Sequence, residues 1–307
     1  MSLAVPFLGD GFALASASCF AAANVLIARG ARPGAGDNGA FVSLLLTAAI
    51  SGAGWIAAGL IRGFEPVTLR ALLWFAGAGV FTAYIGRVFF YASVQHLGAL
   101  RSSTMKRLNP FFAVMLGVAV LGESLTGGMA IGLVLIFASF AVLVAAAGRS
   151  RDATSREPLG RRLLNAGYVY GPISALGYAS GYLLRKMGLA DAHDALLGAA
   201  VGTLVGAAIF VATAAFRPEY ARAVRATFGR PNPWLIAAGV MSSFGQILYF
   251  AALNVSPMSR VALISSMEVF VTLFLGTLLL RRRESLTPSV ALAAVLGVAG
   301  TAFIIGI

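Results

Sequence analysis

The tetrapeptide ESLT occurs twice in this chain, at Glu123–Thr126 and again at Glu284–Thr287, each time between long apolar runs. The residues before the two copies also match. With an offset of 159 residues, GRVFFYA, which begins at Gly86, aligns with GQILYFA, which begins at Gly245. The same offset pairs Arg101 with Arg260, Phe111 with Phe270, Gly117 with Gly276, and Leu121 with Leu280. ESLT therefore closes a longer internal repeat.

Composition places the chain in a lipid environment. Hydrophobic residues make up 59% of the 307 residues, charged residues only 11%, and the mean hydropathy is +0.87. A water-soluble protein could not cover its surface with so few charges. The net charge of +12 is carried by arginines between apolar runs, which indicates membrane topology and anionic lipid rather than nucleic acid. The single cysteine, Cys19, excludes an intrachain disulfide.

Ten apolar runs are long enough to cross a bilayer, which needs about 20 residues per helix. They begin near Leu8, Ala40, Ala71, Ser102, Gly128, Leu163, Ala195, Trp234, Val261 and Pro288. No cleavable signal peptide precedes the first run, since no basic segment stands before it. The runs lack the alternation of polar and apolar residues that barrel strands require. The sequence therefore predicts an all-α integral membrane protein with ten transmembrane helices.

The longest polar connection is GRSRDATSREPLGRR, from Gly148 to Arg162. It divides the chain into a first five-helix repeat over 1–147, a linker over 148–162, and a second five-helix repeat over 163–307. Because each half has an odd number of helices, the second half enters the membrane from the opposite side. Inverted repeats of this kind occur in many secondary transporters, with the binding site where the repeats meet near mid-membrane.

Both repeat segments resemble a known family. YASVQHLGALRSSTMKRLNPFFAVMLGVAVLGESLT and FAALNVSPMSRVALISSMEVFVTLFLGTLLLRRRESLT are similar to the two EamA repeats of the drug/metabolite transporter superfamily. The resemblance implies an exporter of small metabolites whose cavity is lined mainly by helices one, three, four, six, eight and nine. One difference from the family pattern is in the second half, where EVF, with Glu268, replaces the NPF that contains Asn109 and Pro110 in the first.

Charge distribution predicts the orientation. Connections after the odd-numbered helices contain 15 Lys and Arg residues, and the opposite face contains 5. Because the cytoplasmic face of a membrane protein is the more basic, we expect the linker over 148–162 to be cytoplasmic and both termini to lie outside the cell membrane.

Several charged residues lie inside the predicted helices, where a charge costs about 2.5–3.5 kcal/mol on insertion scales and therefore faces a cavity or a partner. Arg87, Lys106 and Glu268 are the deepest. Polar and aromatic residues recur at helical spacing beside them. The candidate substrate-binding residues are Asn24, Tyr84, Arg87, Tyr91, Lys106, Asn109, Tyr178, Tyr182, Gln246, Tyr249 and Glu268.

Cations on one side of a cavity and a carboxylate on the other suit a zwitterion, and tyrosine walls suit an aromatic side chain. We therefore expect a secondary transporter that exports amino acids, aromatic ones among them, as in the amino-acid-exporter branch of the superfamily. The alternatives are a transporter of drugs or other metabolites, such as nucleotide sugars, and a channel. The sequence contains no metal-ligand cluster, nucleophile elbow or phosphate loop, so we expect neither an enzyme nor a cofactor. The expected partners are a small-molecule substrate and the lipid bilayer, and the expected assembly is a monomer, with a homodimer as the alternative.

Labelling of single cysteines in intact cells, in a variant with Cys19 replaced, tests the predicted orientation. A membrane-impermeant maleimide should label a cysteine at Ser2 and should not label one at Ser155 until the cells are opened. The opposite pattern would reverse the orientation.

Overall fold

A computed structural model describes residues 4–31, 37–97, 102, 108–149, 166–229, 231–280 and 288–305. In these residues the chain is a bundle of α-helices. The helices are α1 (Ala4–Gly30), α2 (Ala40–Arg62), α3 (Leu69–Ala78, continued by a π-helical segment Gly79–Gly86 and by Arg87–Leu97), α4 (Leu108–Leu121), α5 (Gly127–Arg149), α6 (Ala166–Asp191), α7 (Ala195–Ala214), α8 (Pro218–Gly229), α9 (Pro233–Val255), α10 (Met258–Ser265), α11 (Glu268–Leu280) and α12 (Pro288–Ile305).

Six stretches of the described chain are long and apolar enough to cross a membrane. They are Phe7–Gly30, Ala40–Arg62, Leu69–His96, Ala195–Ala214, Pro233–Val255 and Met258–Leu278. Shorter apolar helices cover Leu108–Leu121, Gly127–Ser139 and Val295–Ile304. The predicted all-helical membrane architecture is thus confirmed. Residues 150–162 of the predicted linker and the second ESLT lie outside the described residues.

An additional helix, α8, lies between the apolar runs predicted to begin near Ala195 and Trp234. Its first turn contains Glu219, and Arg222 and Arg225 are exposed on its surface. Ala223 is buried against the bundle, where α8 contacts α7 and α2. The short amphipathic pattern of α8 is too polar to register in a search for apolar spans, so hydropathy alone does not reveal it.

The predicted ninth helix is broken. Apolar composition indicated one span starting near Val261, with Glu268 one to two turns inside it. Instead, α10 ends at Ser265, Ser266 and Met267 form a turn, and Glu268 opens α11. The N–H groups of Ser266 and Met267 donate to carbonyls three residues back, Leu263 and Ile264, at 3.0 and 3.1 Å. The break thus places a carboxylate at a helix N-terminus, where the helix dipole favours negative charge.

Four closely packed helix pairs are α1 with α9, α3 with α6, α2 with α7, and α5 with α12. Glycines allow the closest approaches. A Cβ atom added to Gly79 in α3 would lie 2.2 Å from the carbonyl oxygen of Gly202 in α7, and one added to Gly132 in α5 would lie 2.5 Å from that of Gly300 in α12. The small-residue patterns of α5 and α7 therefore serve packing within this chain.

The first ESLT holds two helices in place at one end of the bundle. Gly122, with φ of +65°, ends α4, and the N–H of Glu123 donates to the carbonyl of Gly117 at 3.1 Å. The Glu123 carboxylate accepts hydrogen bonds from the N–H groups of Met258 and Ser259 at 2.6 and 2.9 Å, and from the Ser259 hydroxyl. It therefore caps α10, in the other half of the chain. Thr126 Oγ1 accepts from the N–H of Met129 at 3.2 Å and caps α5.

Replacing Glu123 with alanine should destabilise the fold, because two helix N–H groups and a hydroxyl lose their acceptor. We expect a loss of about 2 kcal/mol, in the range of charged hydrogen bonds and helix caps. Denaturant unfolding in detergent micelles measures it. Glu65→Ala, at an exposed position in the connection between α2 and α3, is the control and should change little. Equal stability of the two variants would contradict the capping role.

Candidate functional site: a polar cavity at the break between α10 and α11

A small cavity of about 30 Å³ lies where the two halves of the chain meet at the break between α10 and α11. That volume has room for about one water molecule. α1, α4, α6, α9, α10 and α11 contribute its wall, which consists of Phe20, Asn109, Pro110, Tyr182, Tyr249, Ala262, Ser265, Ser266, Glu268 and Val269. Four predicted site residues, Asn109, Tyr182, Tyr249 and Glu268, are brought together here.

Several polar atoms of this cavity are buried without a hydrogen-bond partner in the described chain. They are Asn109 Oδ1, Tyr249 OH, Ser265 Oγ and Ser266 Oγ. A buried polar atom without a partner costs about 1–3 kcal/mol. Four such atoms around one space are therefore costly to the protein alone, and a polar ligand that bonded to them would offset the cost. Sequence reasoning did not select Ser266, because it did not foresee the helix break that turns this residue inward.

Glu268 is buried on the cavity wall. Its Oε1 accepts a hydrogen bond from Asn24 Nδ2 of α1 at 2.7 Å. Its backbone carbonyl accepts from Thr272 Oγ1 at 2.7 Å. Asn24, predicted from the sequence as a substrate-binding residue, is not on the cavity wall, but its hydrogen bond to the Glu268 carboxylate joins α1 to the break.

Two tyrosines form an aromatic wall on one side of the cavity. The rings of Tyr182 and Tyr249 are stacked, with centroids 4.1 Å apart and planes inclined by 24°. Tyr178, one turn before Tyr182 on α6, lies with its ring centroid 5.8 Å from that of Tyr182. All three side chains are almost fully buried. Their aromatic surfaces can stack on a flat ligand group.

Arg87 is held by α2. Its Nη1 donates to the Ser43 carbonyl at 2.9 Å, to the Ser43 hydroxyl at 3.2 Å and to Thr47 Oγ1 at 2.9 Å. The Tyr91 hydroxyl donates to the same Ser43 hydroxyl at 3.0 Å. Arg87 and Tyr91 are buried, and the hydrogen bonds to neutral oxygens compensate for part of the desolvation of the guanidinium. Neither residue is on the wall of the small cavity.

A second buried arginine, Arg185, was missed by the sequence analysis, which assigned it to a connection at the membrane face. Its Nη2 donates to Thr82 Oγ1, and its guanidinium lies 4.4 Å above the ring of Phe250. With the amide carbonyl of Gln246 turned toward it, Nη1 donates to that oxygen at 3.1 Å. The available signal was its spacing, since Arg185 follows Tyr178 and Tyr182 by seven and three residues on the same helix face.

Another predicted residue, Tyr84, is not on the cavity wall. Tyr84 lies in the π-helical segment of α3, and its hydroxyl is 2.7 Å from Thr213 Oγ1 of α7. The wider turns of a π-helix rotate Tyr84 away from the face that Arg87 and Tyr91 occupy. Lys106 lies outside the described residues.

Comparison with known proteins shows which family the chain belongs to. The model of the EamA-like transporter family matches residues 7–145 and 165–306, so it covers nearly all of both halves. The chain belongs to the EamA-like transporter family. As a member of that family it is a multi-pass membrane protein of the drug/metabolite transporter type, and the family is one of transporters rather than enzymes.

Solved structures share the EamA fold of this chain. A crystal structure described only as "Crystal structure of protein" superposes with a TM-score of 0.67 over 98% of this chain and 97% of the other, at 17% sequence identity. At that identity the likeness concerns the fold alone. No curated protein matches the sequence.

Phenylalanine substitutions at two buried tyrosines, Tyr249 and Tyr91, test which hydroxyl binds a ligand and which stabilises the fold. Tyr249→Phe removes a hydroxyl that has no partner in the described chain, so stability should hold or rise while ligand binding weakens about tenfold. Tyr91→Phe removes a hydroxyl that donates to Ser43, so about 1 kcal/mol of stability should be lost. Thermal unfolding and substrate binding, measured on both variants, check the pair. Unchanged substrate binding by Tyr249→Phe would remove Tyr249 from the site.

Proposed function

We propose that this EamA-family protein is a secondary exporter of small organic metabolites, and that its substrates are amino acids, including aromatic ones. The observation that supports this most directly is the polar cavity at the helix break. It combines the Glu268 carboxylate, four buried polar atoms that have no partner among the described residues, and a stacked tyrosine pair between the two halves of the chain. Secondary transporters bind their substrates at such broken helices.

The charges near the cavity favour a zwitterion. Glu268 and Asn109 Oδ1 can accept hydrogen bonds from an ammonium group, and the tyrosine rings can pack on an aromatic side chain. Arg87 and Lys106, as proposed from the sequence, and the newly found Arg185 supply positive charge for a carboxylate. The volume of about 30 Å³ is too small for an amino acid, so the helices around the cavity would have to separate for substrate to enter.

We further propose ten transmembrane helices in two inverted repeats, with transport by alternating access. The spans are α1–α7, α9, α10 with α11, and α12, and each of the first five corresponds to the span five positions later. The packing supports this relation. Exchanging corresponding spans turns the α1–α9 pair into the α6–α3 pair and maps the α2–α7 and α5–α12 pairs onto themselves. A pseudo-two-fold axis in the membrane plane would relate the halves.

The proposed location is the inner, or plasma, membrane of the cell, with the basic linker in the cytoplasm. α8 lies on this basic face and adds exposed arginines, Arg222 and Arg225, which can contact anionic lipid head groups. A monomer is proposed, because glycines of the small-residue patterns on α5 and α7 contact helices of the same chain.

Flux through purified protein in liposomes tests the proposal. The wild type should exchange labelled L-phenylalanine saturably, in competition with other amino acids, rather than leak it at a rate linear in concentration as a channel would. Saturable transport of drugs or nucleotide sugars, but of no amino acid, would favour the alternative substrates.

Arg87→Ala and Glu268→Gln should each lower the flux at least tenfold. Arg87→Ala removes a positive charge proposed to attract the substrate carboxylate, and Glu268→Gln removes the negative charge proposed to attract its ammonium group. Both variants should still insert and remain folded by size-exclusion chromatography. Arg62→Ala, at the exposed end of α2, is the matched control. If both core variants transport at the wild-type rate, the charges are structural.

A further inference from the structure

A second and larger cavity opens at the membrane face where α3 begins and where α4, α6 and α9 end. Its volume is about 560 Å³, large enough for an amino acid. We call it the vestibule, and its polar lining consists of Arg70, Trp74, Glu123, Lys186, Asp191, Asn254 and Ser256. In the proposed orientation it faces outward, on the side to which an exporter delivers its substrate.

Two donors of the vestibule can bond to a ligand. The indole Nε1 of Trp74 is buried and has no acceptor within the described chain. The Lys186 ammonium donates to the carbonyls of Leu253 and Ser256 at 2.6 and 2.8 Å. An ammonium has three N–H groups, so Lys186 has one left for a further acceptor. The two groups together suit a carboxylate.

The two carboxylates of the vestibule, Glu123 and Asp191, differ in how many hydrogen bonds they accept within the described chain. Both oxygens of Glu123 accept hydrogen bonds from α10. Asp191 Oδ2 lies 3.2 Å from Arg70 Nε, yet it has no hydrogen bond of acceptable geometry within the described chain. The Arg70 side chain is 74% exposed, so solvent screens this ion pair and its strength is small. Asp191 can therefore bind an ammonium group of a ligand.

We propose that the vestibule is a second binding site, which takes a zwitterionic α-amino acid. Its carboxylate would bind Trp74 Nε1 and the Lys186 ammonium, and its ammonium group would bind Asp191. The four charged side chains Arg70, Glu123, Lys186 and Asp191 sum to zero, which suits a ligand of zero net charge better than an anion or a cation. The choice of an amino acid as ligand rests on the proposed function.

The two cavities follow each other along the same helices. Lys186 lies four residues after Tyr182 on α6, and Leu253 lies four residues after Tyr249 on α9, a rise of about 6 Å in each case. The stacked pair of Tyr182 and Tyr249 belongs to the wall of the inner cavity, and the Lys186–Leu253 hydrogen bond lies one turn nearer the vestibule. An amino acid released past the tyrosine pair would enter the vestibule.

Equilibrium dialysis of the full chain in lipid nanodiscs tests the site, with labelled L-phenylalanine, L-leucine, L-glutamate and L-lysine as probes. The wild type should bind at least one of them at two classes of site. Trp74→Phe and Asp191→Asn should each weaken one class about tenfold, and the double variant should lose it. Trp55→Phe, whose indole packs on Phe64 at 5.1 Å, is the matched control. Two analogues of L-phenylalanine each lack one of its charges: phenethylamine has no carboxylate, and 3-phenylpropionate has no ammonium group. Each should compete with labelled L-phenylalanine at least tenfold more weakly than unlabelled L-phenylalanine does.

Glu268→Gln distinguishes this proposal from the proposed function. It should remove binding at the inner cavity and leave the class that depends on Trp74 and Asp191 intact. If Glu268→Gln loses flux and no class of binding sites depends on Trp74 and Asp191, the proposed function is supported and the second site is overturned. If the protein binds amino acids at the vestibule but transports none, the second site is supported and the proposed function is overturned. Unchanged stoichiometry in the Trp74→Phe/Asp191→Asn double variant, or no binding of any probe to the wild type, overturns the second site.

Discussion

Charge buried in a hydrocarbon environment must be hydrogen-bonded, and this constraint organises the bundle. Arg87 and Arg185 are both about 1% exposed, and each meets oxygens of neutral side chains or backbone on other helices. The bonds of Arg87 join α3 to α2. Those of Arg185 join α6 to α3 and, through Gln246, to α9. Because a misplaced helix would leave a guanidinium unpaired at a cost of several kcal/mol, these contacts fix how the central helices pack.

The same constraint makes the unsatisfied atoms informative. Asn109 Oδ1, Tyr249 OH, Ser265 Oγ and Ser266 Oγ gather at one place, the break between α10 and α11, beside Glu268. The turn between α10 and α11 keeps its backbone hydrogen-bonded to carbonyls three residues back, while its serine side chains line the cavity. A polar surface of this kind within the membrane is expected where a ligand supplies the missing partners.

Two charged contacts join the two halves of the chain at the face of the vestibule. Glu123 of the first half caps α10 of the second, and Asp10 of α1 forms a bidentate pair with Arg260 of α10 at 2.7 and 2.8 Å. Both contacts hold the first part of the broken helix. Any motion that moved the halves apart at this face would have to break or rearrange them.

The sequence by itself determined which segments are helices in a membrane and that the chain contains two EamA repeats, because long apolar runs have few other stable forms in lipid. It also indicated several residues of the cavity, since Asn109, Tyr182, Tyr249 and Glu268 are costly or aromatic groups at helical spacing. Hydropathy could not detect α8, whose polar face lowers its average hydropathy.

Only the tertiary structure decided where each side chain faces. The π-helical segment Gly79–Gly86 turns Tyr84 toward α7, and the break after Ser265 brings Ser266 inward. The π-helical segment begins at Gly79, which packs closely on Gly202 of α7, and periodicity along a single helix does not encode a contact of this kind.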